Sequence, residues 1–197
     1  MGDPKKQRKK YETPRFPWRK DVLQEELKLL GQYGLRNKHE LWRHKTFLSK
    51  TRGIARLLIG KPPEERAKME NELLLRLKKF GILPETAVLD NVLDLSIEDI
   101  LERRLQTLVF RKNLAKTIYQ ARQLITHGHI AIGNRRVTVP SYLVSKEEEG
   151  QIGYAPQSAL ANASHPLRQA MADVAKPAEI EQPRERKREK RVINFEQ

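Results

Sequence analysis

Apolar residues recur at helical spacing in five stretches of this chain and alternate at strand spacing in one. Leu23, Leu27 and Leu30 mark a first helix over about 21–30, which Gly31 is expected to stop. Asn37, with Glu40 three residues on, reads as the capped start of a second helix that carries Leu41, Trp42 and Leu48 toward Ile59. Pro62, Pro63, Glu64 and Glu65 suit the first turn of a third, lined by Leu73, Leu74, Leu77 and Phe80 and ended by Gly81. The stretch 82–95 holds Pro84 among apolar residues and reads as a connector packed on these helices. Ser96 then caps a helix with Asp99 at its third position, and Ile97, Ile100, Leu101, Leu105 and Leu108 continue one stripe to Phe110. Thr117 and Gln120 form a second capping box before Ile118, Ala121, Leu124 and Ile125, with Gly128 as the stop. Ile130 and Ile132 finally alternate against Val137 and Val139 around Gly133-Asn134, a two-residue hairpin turn.

This pattern predicts an α+β fold: an extended basic N-terminal arm (1–20), a mainly helical lobe (21–95), a helix-helix-β-hairpin module (96–154) and a C-terminal tail (155–197). The tail has no sustained apolar period and is broken by Pro156, Pro166, Pro177 and Pro183. It reads as extended or disordered, with a charged helix over 184–191 as the competing view.

Charge changes the picture from scaffold to binding surface. The 197 residues carry a net +14, which points to a polyanion, with nucleic acid favoured over an anionic membrane or an acidic protein. The excess is local. From Leu101 to Ser145 stand eight lysines and arginines against one acid, Glu102, and between Leu41 and Gly60 there is no acid at all. Along that second helix lie Lys45, Lys50, Arg52 and Arg56. The arm interleaves Lys9, Lys10 and Arg15 with Tyr11, Phe16 and Trp18, a composition suited to tracking phosphates while a ring stacks on a base.

Catalytic chemistry is missing. No phosphate loop, zinc-protease helix or nucleophile elbow occurs, so no enzyme is expected. Cysteine is absent and His127 and His129 have no third ligand nearby, so neither metal nor cofactor is expected. No apolar run approaches the ~20 residues needed to span a bilayer, and the N-terminus has no apolar signal core, which leads us to expect a cytosolic or nuclear protein with no membrane contact.

The segment LERRLQTLVFRKNLAKTIYQARQLITHGHIAIGNRRVTVPSYLV resembles the small RNA-binding module named after ribosomal protein S-four. YETPRFPW, LGQYGLRNKHELWR and LSKTRGIARLLI look like the N-terminal lobe of the archaeal and eukaryotic branch of that ribosomal family, and the likeness runs from about Tyr11 to Tyr154. It implies a structural protein of the small ribosomal subunit that binds ribosomal RNA at a multi-helix junction early in assembly. It also implies a neighbour, protein S-five, and an influence on decoding accuracy, with no homo-oligomer. Some RNA-modifying and tRNA-handling enzymes carry similar modules, and they are the alternative. On this reading Arg103, Arg104 and Arg122 are bidentate phosphate clamps on exposed helix sides. Gln123 reads a sugar or base edge. His127, Gly128 and His129 bring backbone close to RNA, and Arg111, Lys112, Lys116, Arg135 and Arg136 extend the contact.

Overall fold

Helix α1 (Lys20–Gln32) opens the lobe in a computed structural model that describes residues 8–162 and 164–169. The expectations for 1–7 and 170–197 lie outside the described residues. Gly31 sits inside the last turn of α1 and does not stop it. The stop is Gly34, whose φ of +56° lets the Leu35 amide donate back to the Leu30 carbonyl at 3.0 Å and close the helix end.

The lobe is organised around α2 (Lys38–Ile59), which packs on α1, α3 (Pro63–Lys79), α4 (Asn91–Asp94) and α5 (Ile97–Glu102). Asn37 caps α2 by accepting from the Glu40 amide at 3.2 Å. The connector after α3 is well packed, with Leu83, Leu89, Val92 and Leu95 buried against Leu48, Leu58 and Leu77.

The stripe from Ile97 to Leu108 belongs to two helices and not one. The Ser96–Asp99 capping box forms in both directions, at 2.7 and 3.3 Å, but α5 ends at Glu102 and α6 (Leu105–Arg111) begins anew. Between them Arg104 is extended and bridges to Leu143. Periodicity misses this break because each piece has its own core to face: Ile100 and Leu101 pack into the lobe, Leu105 and Leu108 into the module. Asn113, with φ +56°, closes α6 as Gly34 closes α1.

Helix α7 (Ile118–Thr126) packs on α6, and Thr117 caps it by accepting from the Gln120 amide. The box is not reciprocal, since Gln120 Oε1 accepts from the Lys116 amide. β1 (Ile130–Ile132) and β2 (Arg135–Arg136) pair Ile132 with Arg135, so Gly133-Asn134 is the whole turn. Positive φ at Gly133 and not at Asn134 is the pattern of a type II′ turn.

One strand was absent from the sequence expectation. After α8 (Lys146–Glu149), β3 (Ile152–Tyr154) pairs antiparallel with β1 to give the sheet order β2-β1-β3. Nor do residues just past Tyr154 leave the module as an extended tail: Ala155 and Leu160 are buried, the latter in the module core.

Candidate nucleic-acid interface

The arginines expected to clamp phosphates are spent inside the protein. Arg104 has 1% of its side chain exposed; its Nη2 donates to Glu40 Oε2 at 2.8 Å and its Nη1 to His44 Nε2 at 2.6 Å. Arg122, 23% exposed, donates to both Glu40 oxygens, at 2.6 and 3.3 Å, and reaches Gln106 Oε1 at 3.3 Å. Arg103 pairs with Glu149 at 2.8 Å and its guanidinium lies over Gly81, where a Cβ would stand 3.3 Å from Cζ. Arg104 is therefore corrected from RNA clamp to internal cation, and Arg103 and Arg122 already hold carboxylates. The α5–α6 break is what sends consecutive arginines apart, Arg103 to Glu149 of the module and Arg104 to Glu40 of the lobe.

Burial sets the chemistry of this cluster. Desolvation raises the Glu40 carboxyl, but the hydrogen bonds and charges of Arg122 and Arg104 outweigh it and hold it below the ordinary carboxylate range. Burial, with Arg104 alongside, pushes His44 down to about 4. His44 is thus neutral at neutral pH, and its Nε2 accepts from Arg104, which puts its proton on Nδ1.

On the module, Gln123, His127, Lys116, Arg135 and Arg136 are exposed. Arg135 and Arg136 line a recess of about 310 Å³ with Thr138, Tyr142, Glu148 and Gln151. The corner before β1 is not open backbone: Gly128 is buried under Arg136, whose Cδ would be 3.0 Å from a Cβ there. His129 is held by Ser158 Oγ at 2.8 Å, and its carbonyl accepts from the Ala155 amide. Arg111 pairs with Glu102 at 2.6 Å, and Lys112 Nζ donates to the Glu149 carbonyl.

The arm and α2 form a second basic surface. Arg8, Lys9, Lys10, Tyr11 and Arg43 surround an open recess of about 800 Å³. Tyr11 is not free to stack on a base, because it lies on His39 with centroids 4.7 Å apart and beside Trp42. Trp18, 87% exposed, remains available, and Arg15 sits over Phe16. Lys50 and Arg56 are exposed along α2. Lys45 pairs with the buried Glu26 at 2.9 Å and Arg52 donates to the Leu95 carbonyl, so an acid-free helix is not a helix of unpaired cations.

Sequence reasoning missed Glu40, Glu26, His44 and Arg43. Glu40 carried a signal that was read locally, as a capping partner. Nothing in spacing announces partners 64 and 82 residues away. Among the described residues no group of three His, Cys, Asp or Glu stands ready for a metal, and no helix is long and apolar enough to cross a membrane.

A helical lobe joined to a helix-helix-hairpin module, both bearing exposed cations, defines a basic RNA-binding protein of the S4-module class, and the S4 domain family matches residues 103–149. The chain is 57% identical over 158 residues to small ribosomal subunit protein uS4 of Hyperthermus butylicus, covering 80% of this chain and 90% of that protein. Against the uS4 proteins of Ignicoccus hospitalis and Saccharolobus solfataricus it is 56% and 55% identical, covering 80% and 78% of this chain and 95% and 86% of theirs. The chain belongs to the uS4 family of small-subunit ribosomal proteins. That is a family of structural proteins and not of enzymes, which removes the RNA-modifying alternative.

Proposed function

We propose that the chain is a structural component of the small ribosomal subunit, working in the cytoplasm and binding that subunit's RNA directly. The names of its relatives support the subunit. One observation carries the RNA contact: after internal ion pairs and hydrogen bonds among the described residues are subtracted, exposed cations remain along much of the chain, and two groups of them line basic surfaces. Lys9, Lys10, Arg43, Lys50 and Arg56 stand on the arm and α2, and Lys116, Arg135 and Arg136 on the module. Phosphates neutralised there release counterions, which supplies affinity without sequence readout. Gln123, Trp18 and His127 are exposed as well and suit edge contacts and stacking. Contact at a multi-helix junction, early entry into assembly, a neighbouring protein S-five and an effect on accuracy belong to the same reading and rest on the family resemblance.

The test is binding of the purified chain to folded small-subunit ribosomal RNA over a salt series. Log affinity should fall linearly with log salt, and Arg136→Ala should reduce the slope by about 0.7 to 0.9, one phosphate's worth. A flat salt response contradicts the electrostatic account.

A further inference from the structure

Three separate stretches of chain converge on the carboxylate of Glu40. Arg104 arrives from the α5–α6 break, Arg122 from α7, and Glu40 itself lies in the first turn of α2. Beside this triad the lobe loop presses directly on the module: Gln106 Nε2 donates to the Gly34 carbonyl at 2.9 Å, and a Cβ on Gly34 would stand 2.8 Å from both Gln106 Nε2 and Ile118 Cγ2. The Glu40 carboxylate ties together both sides of the RNA surface's frame, alongside Gln106, which donates to the Gly34 and Ile118 carbonyls, and the Lys146–Glu85 pair. Arg43, one turn along α2, faces out with the arm's cations while Glu40 and His44 face in. α7, which carries Arg122, runs through Gly128 into the hairpin that holds Arg135 and Arg136.

A buried ionic triad is a poor source of stability, because desolvation offsets its attraction. Arg104 Nε even lacks a partner among the described residues. What such a cluster does provide is one geometry, since a bidentate fork on a carboxylate admits little rotation.

Resting on the RNA-binding reading above, we infer that Glu40 is a positioning residue: it locks lobe and module in a single orientation, so that the arm–α2 cations and the hairpin cations form one composite face matched to folded RNA. The partner this selects is an RNA whose backbones are fixed relative to one another, in preference to a single strand. A flexible strand adapts to two unlocked basic patches as readily as to two locked ones. A folded RNA meets both patches only when their spacing is right, so its apparent affinity falls with the fraction of molecules in the correct orientation.

The chain has no cysteine, so spin labels at Ser49→Cys and Asn134→Cys report the lobe-to-hairpin distance without other changes. The wild type is expected to give a narrow distance distribution and to prefer folded small-subunit RNA over poly(U). Glu40→Gln is expected to broaden the distribution and cut that preference about tenfold, the loss expected if a tenth of molecules keep the orientation, with poly(U) affinity unchanged. Arg122→Lys, which keeps the charge but not the fork, is expected to move both readouts the same way by less, and it decides the matter if Glu40→Gln does not fold. An unbroadened distribution with full preference for folded RNA in the folded variants overturns the inference. A wild type that does not prefer folded RNA overturns the RNA-binding reading itself, and the inference with it.

Discussion

Glu40 holds two arginines and His44 stays neutral beside them, an arrangement that ties stability to pH. In the unfolded chain His44 takes a proton near its ordinary 6.5, whereas in the fold it refuses one until about 4. Between those values the unfolded state binds the extra proton, so stability is full above pH 6.5 and falls as pH drops toward 4, by roughly 3 kcal/mol over the window. Glu40, held below the ordinary 4.5, acts in the same direction at lower pH, since its contribution is lost as it takes up a proton. The urea midpoint is therefore expected to fall between pH 7 and pH 5, and His44→Gln to flatten that dependence. A midpoint that holds or rises over this range would contradict the buried neutral histidine. Residue identity alone did not reveal any of this. Arg103, Arg104 and Arg122 read as RNA clamps because the single acid within 101–145, Glu102, left them without a visible partner. Their partners, Glu40 and Glu149, lie outside that window.

Helix starts were readable and helix stops less so, for a physical reason. A cap is a local hydrogen bond, and Asn37, Ser96 and Thr117 each make the one expected of them, to the amide three residues on. A stop is decided by where the backbone turns left-handed, and Gly31 and Gly34 are equally able to turn. Their substitutions separate them. Gly31→Ala meets nothing within 4 Å inside α1 and is expected to stabilise by up to ~1 kcal/mol. Gly34→Ala at φ +56° costs about 1–2 kcal/mol from the backbone alone and more from its clash with Gln106 and Ile118. Urea unfolding of the two variants checks this, and equal effects would count against the α1 boundary. The break at Arg103–Arg104 and the strand β3 escaped notice differently. The apolar stripe runs on across the break while changing cores, and β3 is three residues with a central glycine whose partner β1 lies about twenty residues earlier.

Across the molecule, charge and architecture point the same way even where individual residues did not. The basic excess read in composition survives internal pairing, but it moves: away from the inner arginines and onto the arm, the outer side of α2 and the hairpin. Acids outnumber cations nine to six over 61–100, which leaves α3 and the connector as the least RNA-like part of the lobe. A buried triad that holds the two halves in one geometry suits a protein built into a particle around folded RNA. Sedimentation of cell extract through a sucrose gradient tests that claim most directly. The chain is expected in the free small subunits and is expected to stay there after a moderate salt wash; chain found at the top of the gradient, apart from the subunits, would contradict it.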